Sequence, residues 1–443
     1  MTSNPQPDRI SDAGVDVWQI SQASVLVKVG DVLPQLVRQH PVFALVRALV
    51  SLGFRSICLC GAADYFDDLD DVSMGANLVQ HPGMWLNDSI ARSAPDADVI
   101  VNIANDVDSV SLCARLGNVR SCPCFQVMWG DSWVAISRKM VSAAELGVLS
   151  VSVMSGRTPL GPIGRIASGL ALQEVLMFAG NVDFAAPLET TVIYNAAAED
   201  RTSTLSDCPW KTKPVQNSIV DLIGAGGIGI HAAEALAPML GDDCLLRIYD
   251  NDVVGMENIP LQVPYRISDI GRPKAIVIAE RLSLINPNLK IQPLVVTYQD
   301  RPDGLSKPSV RLVCGDNFAI RKFANDLSIA DGVPLVEAGS SPLGSQQRTY
   351  FPGLTACLEH RIRNLAKKVA VENEPASCSA SRALTLPGTN AIVGGILATE
   401  ALKAIEPEGF GLPASGTITY DARVPQRFGV LDVLAACEHK GHL

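Results

Sequence analysis

The chain has 443 residues, 47% of them hydrophobic and 19% charged, which excludes disordered, collagen-like and fibrous proteins. At roughly 150 residues per domain this leaves room for two or three domains, each with its own core. With 36 Lys and Arg against 46 Asp and Glu, the net charge of -10 argues against a surface built mainly for nucleic acid or an anionic membrane, and leaves only a local basic pocket open.

The start, MTSNPQPDRISDAGVDVWQ, lacks the basic end and apolar run of a secretory signal, and no stretch reaches the roughly 18 uninterrupted apolar residues of a membrane helix. Eleven scattered cysteines then read as reduced thiols of a cytoplasmic protein. In chain order, SVLVKVG (24–30) is a strand, HPVFALVRALVSLG a helix, SICLCG a strand, and DVIVNIAN (98–105) a further strand. GRIASGLALQEVL (164–176) has helical spacing, and TVIY (191–194) is a short strand. The polar, proline-containing run 201–217 reads as a linker.

Beyond it, SIVDLIG (218–224) is an apolar strand, GAGGIG (224–229) opens the helix IHAAEALAPML, and LLRIYD ends at Asp250. Strand, glycine turn, helix, strand and acid form the βαβ arrangement in which amides at a helix start bind phosphate while a carboxylate holds ribose. KAIVIAERLSLI follows as a helix, VRLVCGDN (310–317) as a buried strand, IRKFANDLSIADG and VGGILATEALK as helices, and TITY (417–420) as a strand. The alternation predicts mostly parallel sheets covered by helices.

The two halves repeat one order. SVLVKVG matches SIVDLIG, DDVSMGAN (70–77) matches NDVVGMEN (251–258), and DVIVNIAN matches VRLVCGDN. Glu174 pairs with Glu400 and Thr191 with Thr417, both across 226 positions. The expected organisation is therefore two tandem Rossmann-like α/β domains: residues 1–200 degenerate, 201–217 linker, 218–443 active. The first half has GDVLPQ where the second has GAGGIG, and that proline and those side chains would keep amides from closing on a phosphate. Ala104 faces Asp316, and no acid plainly corresponds to Asp250.

Glycine turns of this kind serve NAD, FAD and ATP alike, so the following residues decide. GAGGIG (Gly224, Gly226, Gly227, Gly229), Asp250 with Asn251 and Asp252, Glu257 and Asn258, GRPKA with Lys274, and GDNFAIR with Asp316 and Arg321 resemble the ThiF/MoeB-like domain of the ubiquitin-activating superfamily over about residues 215–440. The resemblance implies that Asp250 holds the ribose, Asn258 and Lys274 hold the phosphates, and Asp316 holds magnesium near the bond that breaks. Asp252 and Gln262 join the nucleotide set, and Arg321 braces the Asp316 loop. It also implies attack of a carboxylate on the α-phosphorus of ATP, giving an acyl-adenylate and pyrophosphate. The first half is similar to the inactive half of two-half ubiquitin-activating enzymes.

The pattern is broken at one point. The family usually has Arg then Gln shortly after the Asn, but here Leu261 precedes Gln262, leaving Arg266 or Arg272 to compensate. The arginine that family members borrow from a partner has a positional counterpart in Arg9, ahead of Trp18, which also reads as a solvated tail residue. Cys378 lies where the family places a loop cysteine, and Lys367, Lys368 and Arg382 could lower its pKa; it is either an acyl acceptor or a loop thiol without covalent duty. Cys357 and His360, with Cys437, His439 and His442, fall where relatives hold structural zinc, although incidental histidines in a tail fit equally. Cys58, Cys60, Cys122, Cys124, Cys244 and Cys314 read as core or strand-edge residues, and His231 as a solvent-facing or capping residue that could approach a phosphate.

The function expected from these residues is ATP- and magnesium-dependent adenylation of a carboxylate. Its substrate is the C-terminus of a ubiquitin-like or sulfur-carrier protein or of a ribosomal peptide, with transfer to Cys378, sulfur or an amine. Neither membrane nor DNA is an expected partner, and the chain is a monomer or homodimer. A NAD-dependent oxidoreductase, a degenerate peptide-binding scaffold and a dehydratase acting on an RNA nucleoside remain as alternatives.

Overall fold

A computed structural model describes residues 15–29, 41–60, 77–81, 97–103, 113, 117, 121–138, 161–182, 188, 191–198, 210, 213–315, 317–372 and 385–437. Arg9, the GDVLPQ segment, Ala104, Asp316, Cys378, Arg382, His439 and His442 lie outside them.

The first half runs α1 (Val17–Gln22), β1 (Ser24–Val29), α2 (Pro41–Leu52), β2 (Ser56–Cys60), β3 (Asn77–His81), β4 (Val99–Ile103), β5 (Cys124–Trp129), β6 (Trp133–Ser137), α3 (Gly161–Ala179) and β7 (Val192–Asn195). The second half begins with β8 (Ile219–Ile223), α4 (Gly227–Leu236), β9 (Leu245–Tyr249), α5 (Lys274–Ile285), β10 (Lys290–Leu294), β11 (Val310–Val313) and α6 (Phe318–Asp331). It continues through β12 (Leu335–Ser340), β13 (Gly344–Tyr350), α7 (Leu358–Arg361), α8 (Leu365–Glu372), α9 (Pro387–Ile405), α10 (Pro407–Phe410), β14 (Thr417–Asp421) and β15 (Phe428–Leu431).

The sheets share one strand order. The first is β3-β2-β1-β4-β5-β6-β7, and the second is β10-β9-β8-β11-β12-β13-β14 with β15 added at the edge. In both, five strands are parallel and the rest antiparallel. The parallel strands are apolar runs because helices cover both faces; every residue of β4 and β11 is buried. Strand order reverses beside β8, between its neighbours β9 and β11, so a crevice opens at the carboxyl ends of β8 and β11.

Helices α3 and α9 are apolar nearly all round and pack against each other between the sheets. They start at 161 and 387 and have 19 residues each, again 226 positions apart. A Cβ on Gly169 would come within 2.7 Å of the Ile392 amide nitrogen and 2.8 Å of the Gly388 carbonyl. On Gly395 it would come within 3.1 Å of the Ile166 nitrogen and 2.8 Å of the Pro162 carbonyl. Subtracting 226 maps one set of neighbours onto the other, so the crossing has an approximate two-fold and each glycine makes the same close approach.

Charge crosses this interface as well. Glu234 on α4 sits 2.9 Å from Arg47 on α2 and 2.9 Å from Arg165 on α3, with all three side chains buried. Arg427 pairs with Glu174 at 3.0 Å, and Lys403 donates to the Ala196 carbonyl at 2.5 Å. His231 departs from its expected place: it is 3% exposed, one turn from Glu234, with Nδ1 3.4 Å from Arg165. The α4 face it occupies packs against α9, so it meets neither solvent nor phosphate. Burial, aided by Arg165, pushes its pKa down to about 3. Among the described residues no helix is long and apolar enough to cross a membrane.

Candidate active site

The site is built at the strand-order reversal. β8 gives way to Gly224 at φ +97°, a left-handed conformation suited to glycine, where a Cβ would also press on the Cys314 and Gly315 backbone at 3.2 Å. Gly226 caps α4, and among the described residues no atom outside its chain neighbours lies within 4 Å of where its Cβ would project. The first-turn amides of α4 therefore border open space, an arrangement that accepts anionic oxygens. Gly227 leaves room for Asn390, whose Nδ2 would be 2.5 Å from a Cβ, while a Cβ on Gly229 would strike the Gly224 carbonyl.

Ala225, inside the loop, is held at both backbone groups. Its amide donates to Asp250 Oδ2 at 2.7 Å, and its carbonyl accepts from the buried Tyr265 hydroxyl at 2.7 Å. Asp250 Oδ1 accepts from the Asp252 amide at 2.8 Å. Burial pushes the Asp250 carboxyl up, and these two amides pull it back. Lys274, at the start of α5, has a largely buried side chain whose Nζ lies 3.1 Å from Asp252, and its amide donates to the Asp252 carbonyl at 2.9 Å. Asn258 accepts the Gly255 amide at 2.8 Å. Gln262 Oε1 is buried without a hydrogen-bond partner among the described residues.

Across the crevice, Arg321 on α6 donates to the Gly315 carbonyl through Nε at 3.3 Å and Nη2 at 3.2 Å, and lies 2.9 Å from Glu337. It thus ties the residue preceding Asp316 to β12. These groups border one cleft of about 740 Å³. Gly224, Gly226, Gly227, Asp250, Asp252, Asn258, Gln262, Lys274 and Arg321 all line it, and Gly229 packs beneath.

Two expectations change. Arg266 and Arg272 are not among the lining residues, and Arg272 is held by Asp269 at 3.2 Å and Glu280 at 2.6 Å. Among the described residues, the cations that do reach the cleft besides Lys274 and Arg321 are Arg348, Lys368 and Arg423. Cys314, expected in the core, borders the cleft, where burial pushes its thiol well up and leaves it a poor nucleophile. Sequence reading missed Asn390, which lines the cleft beside Gly227, and Tyr265 and Glu337, which hold the Ala225 turn and Arg321 in place. An acid inside the apolar run VPLVEAG was the one local signal among them.

A second cluster lies at the start of α7, whose Leu358 amide donates to Asn325 of α6 at 2.9 Å. Cys357 Sγ is 3.2 Å from His360 Nδ1, Cys437 Sγ accepts the Cys357 amide at 3.1 Å, and the three donors fall within 4.8 Å of one another. Burial first, and then Cys437, push the Cys357 thiol up to about 11, so a bound cation would be needed to draw off its proton. Two sulfurs and an imidazole nitrogen suit zinc.

Comparison with known proteins agrees with this geometry. The ThiF family model matches residues 207–431, just over half of the chain. The sulfur carrier protein adenylyltransferase of Thermus thermophilus is 29% identical over 214 residues, 47% of this chain and 76% of that one. The SAMP-activating enzyme E1 of Haloferax volcanii is 31% identical over 210 residues, 46% of this chain and 73% of that one. The structure of E. coli MccB with AMPCPP and SeMet MccA aligns at a TM-score of 0.42 and 22% identity, over 50% of this chain and 65% of that one. With an anion-accepting glycine turn, a buried lysine opposite it and a family match over the half that contains both, the chain belongs to the ThiF family of ATP-dependent adenylyltransferases.

Proposed function

We propose that the cleft activates the C-terminal carboxylate of a peptide or small carrier protein, with the phosphates of ATP seated over Gly226. The observation that carries this reading is the open space at the first turn of α4, facing Lys274 within one cleft. Amides of that turn, the Lys274 ammonium and the Asn258 side chain would neutralise charge as pyrophosphate leaves. Asp250 would keep the Ala225 turn in place while its remaining lone pairs accept ribose hydroxyls. Asp316, next in sequence to the Gly315 that Arg321 holds, is the residue we assign to magnesium, which when bound draws charge from the phosphate oxygens. Cys378 is the residue we assign to accept the acyl group.

The first half serves as a built-in partner. It supplies Arg47 and Arg165 to the helix whose start faces the phosphates, and Gln173 to Thr389 at 3.2 Å, beside Asn390. Residues 1–200, 201–217 and 218–443 are then partner, linker and catalytic lobe of a chain that needs no second copy, working in the cytoplasm, where its thiols stay reduced. Cys357, His360, Cys437 and His439 would hold a structural zinc that pins the chain's last segment to α7.

Exchange of labelled pyrophosphate into ATP tests the reading. A carboxylate should support it, and Asp316→Ala should abolish it; failure with every carboxylate would leave a peptide-binding scaffold instead. Transfer lost in Cys378→Ser with exchange retained supports the acyl role, and unchanged transfer removes it. One zinc per chain, lost in Cys357→Ser with a lower Tm, supports the metal; less than a tenth of an equivalent excludes it.

A further inference from the structure

The cleft has two electrically different ends. At the glycine turn, Lys274 faces Asp250 and Asp252, one base against two acids. At the far end, Arg348, Lys368 and Arg423 reach the lining, against Asp421 and the Glu337 that Arg348 shares with Arg321. Three bases oppose two acids there, one of them shared, in a chain whose total charge is -10.

The arrangement is held in place and partly dry. Glu337, with no exposed surface, lies 2.9 Å from Arg321 and 3.1 Å from Arg348, whose side chains are 12% and 13% exposed. One buried carboxylate therefore balances two guanidinium groups, and the excess charge faces the cleft rather than bulk water. A desolvated cation without a full counter-charge is costly, and an anionic ligand offsets that cost. β13 alternates, so Gly344, Gln346 and Arg348 share one face; the register sets them beside Asp421, Thr419 and Glu337. This face forms a floor with hydrogen-bonding side chains and a glycine, leading from the sheet edge at Leu431 toward Ser340 and the glycine turn.

From this polarity we infer that the segment preceding the reacting carboxylate is acidic: the substrate is a peptide or carrier tail with Asp or Glu a few residues upstream, bound by Arg348, Lys368 and Arg423. The inference rests on the adenylation reading and adds a substrate class to it. Lys368, more than a third exposed and 4.6 Å from the Phe318 ring, and Arg423, 58% exposed, stand at the mouth; Arg348 stands deeper. Opposite charges would steer the tail inward and orient it, an effect that salt weakens.

Three fluorescent heptapeptides test it, identical except for Asp, Asn or Lys at the second and fourth residues before the terminal carboxylate. Anisotropy reports binding to the full chain with ATP present, and pyrophosphate exchange reports turnover. The Asp peptide should bind at least about tenfold more tightly than the Lys peptide, by a margin that shrinks with salt. Lys368→Glu combined with Arg423→Glu should reverse the order, and both positions are exposed enough to be changed without disturbing the core. Arg348→Met, checked by Tm, should lower affinity for the Asp peptide without weakening binding of the Lys peptide. Equal binding of all three, or charge reversals that change only the KM for ATP, would overturn the inference while leaving adenylation standing. The predicted order of binding without any exchange would overturn adenylation and leave the acidic-tail preference standing.

Discussion

The two halves differ less in architecture than in what sits at the ends of their strands. Both sheets carry the same seven-strand order, and both contribute a 19-residue helix to the central crossing. The second half alone contains a glycine run at the first strand-to-helix turn and an acid at the end of the following strand, and among the described residues it adds β15 next to the cleft. A Rossmann-like scaffold thus becomes a site through a few residues at its strand-order reversal. The other half keeps the packing surface and supplies the ions that fix α4.

The largest effect should come from separating the halves electrically. Glu234→Ala leaves Arg47 and Arg165 buried without their counter-ion, and we expect a loss of about 3–5 kcal/mol in stability, read as a lower Tm and denaturation midpoint. An unchanged Tm would mean that this contact does not join the lobes. At the site itself, Lys274→Ala should reduce pyrophosphate exchange about 10²–10³-fold with little change in Tm. A comparable loss of exchange from Arg272→Ala, which lies outside the lining, would break the assignment of the cleft.

Acid sharpens the comparison further. His231 is neutral in the folded chain, with a pKa near 3, and titrates near 6.5 when unfolded. Between those values the unfolded state binds the extra proton, so the residue's contribution is complete above pH 6.5 and is lost as pH falls toward 3. From pH 6.5 to 4.5 this amounts to about 2–3 kcal/mol. The difference between wild type and His231→Gln isolates it, and parallel stability curves for the two proteins would contradict it. The smallest effect tests the two-fold: Gly169→Val and Gly395→Val should each cost about 1–3 kcal/mol, by similar amounts, since each pushes a side chain into the same contact. A large cost at one and none at the other would show that the crossing is not symmetric in energy.

Much of this was legible in the sequence because it is local. Strand–glycine–helix punctuation, the acid at 250, and the 226-residue repeat all survive as neighbours in the chain. What stayed hidden acts across long separations. Tyr265 reaches Ala225 over 40 residues, Arg47 reaches Glu234 over 187, and Thr389 reaches Gln173 over 216. No periodicity records such pairings. His231 was misplaced for the same reason: a histidine early in a helix after a glycine loop looks solvent-facing until α9 and Arg165 are seen to cover it. The sequence offers Arg266 and Arg272 as replacements for the arginine missing before Gln262, whereas among the described residues neither lines the cleft, whose cations other than Lys274 and Arg321 come from β13, α8 and the turn after β14.

The central claim is that a carboxylate attacks the α-phosphorus of ATP in the second half's cleft. An accepted peptide with ¹⁸O in its terminal carboxylate should, after adenylation and acyl transfer, leave one ¹⁸O in the released AMP, detectable by mass spectrometry. Label found in inorganic phosphate with ADP as the other product, or AMP free of label, would contradict it.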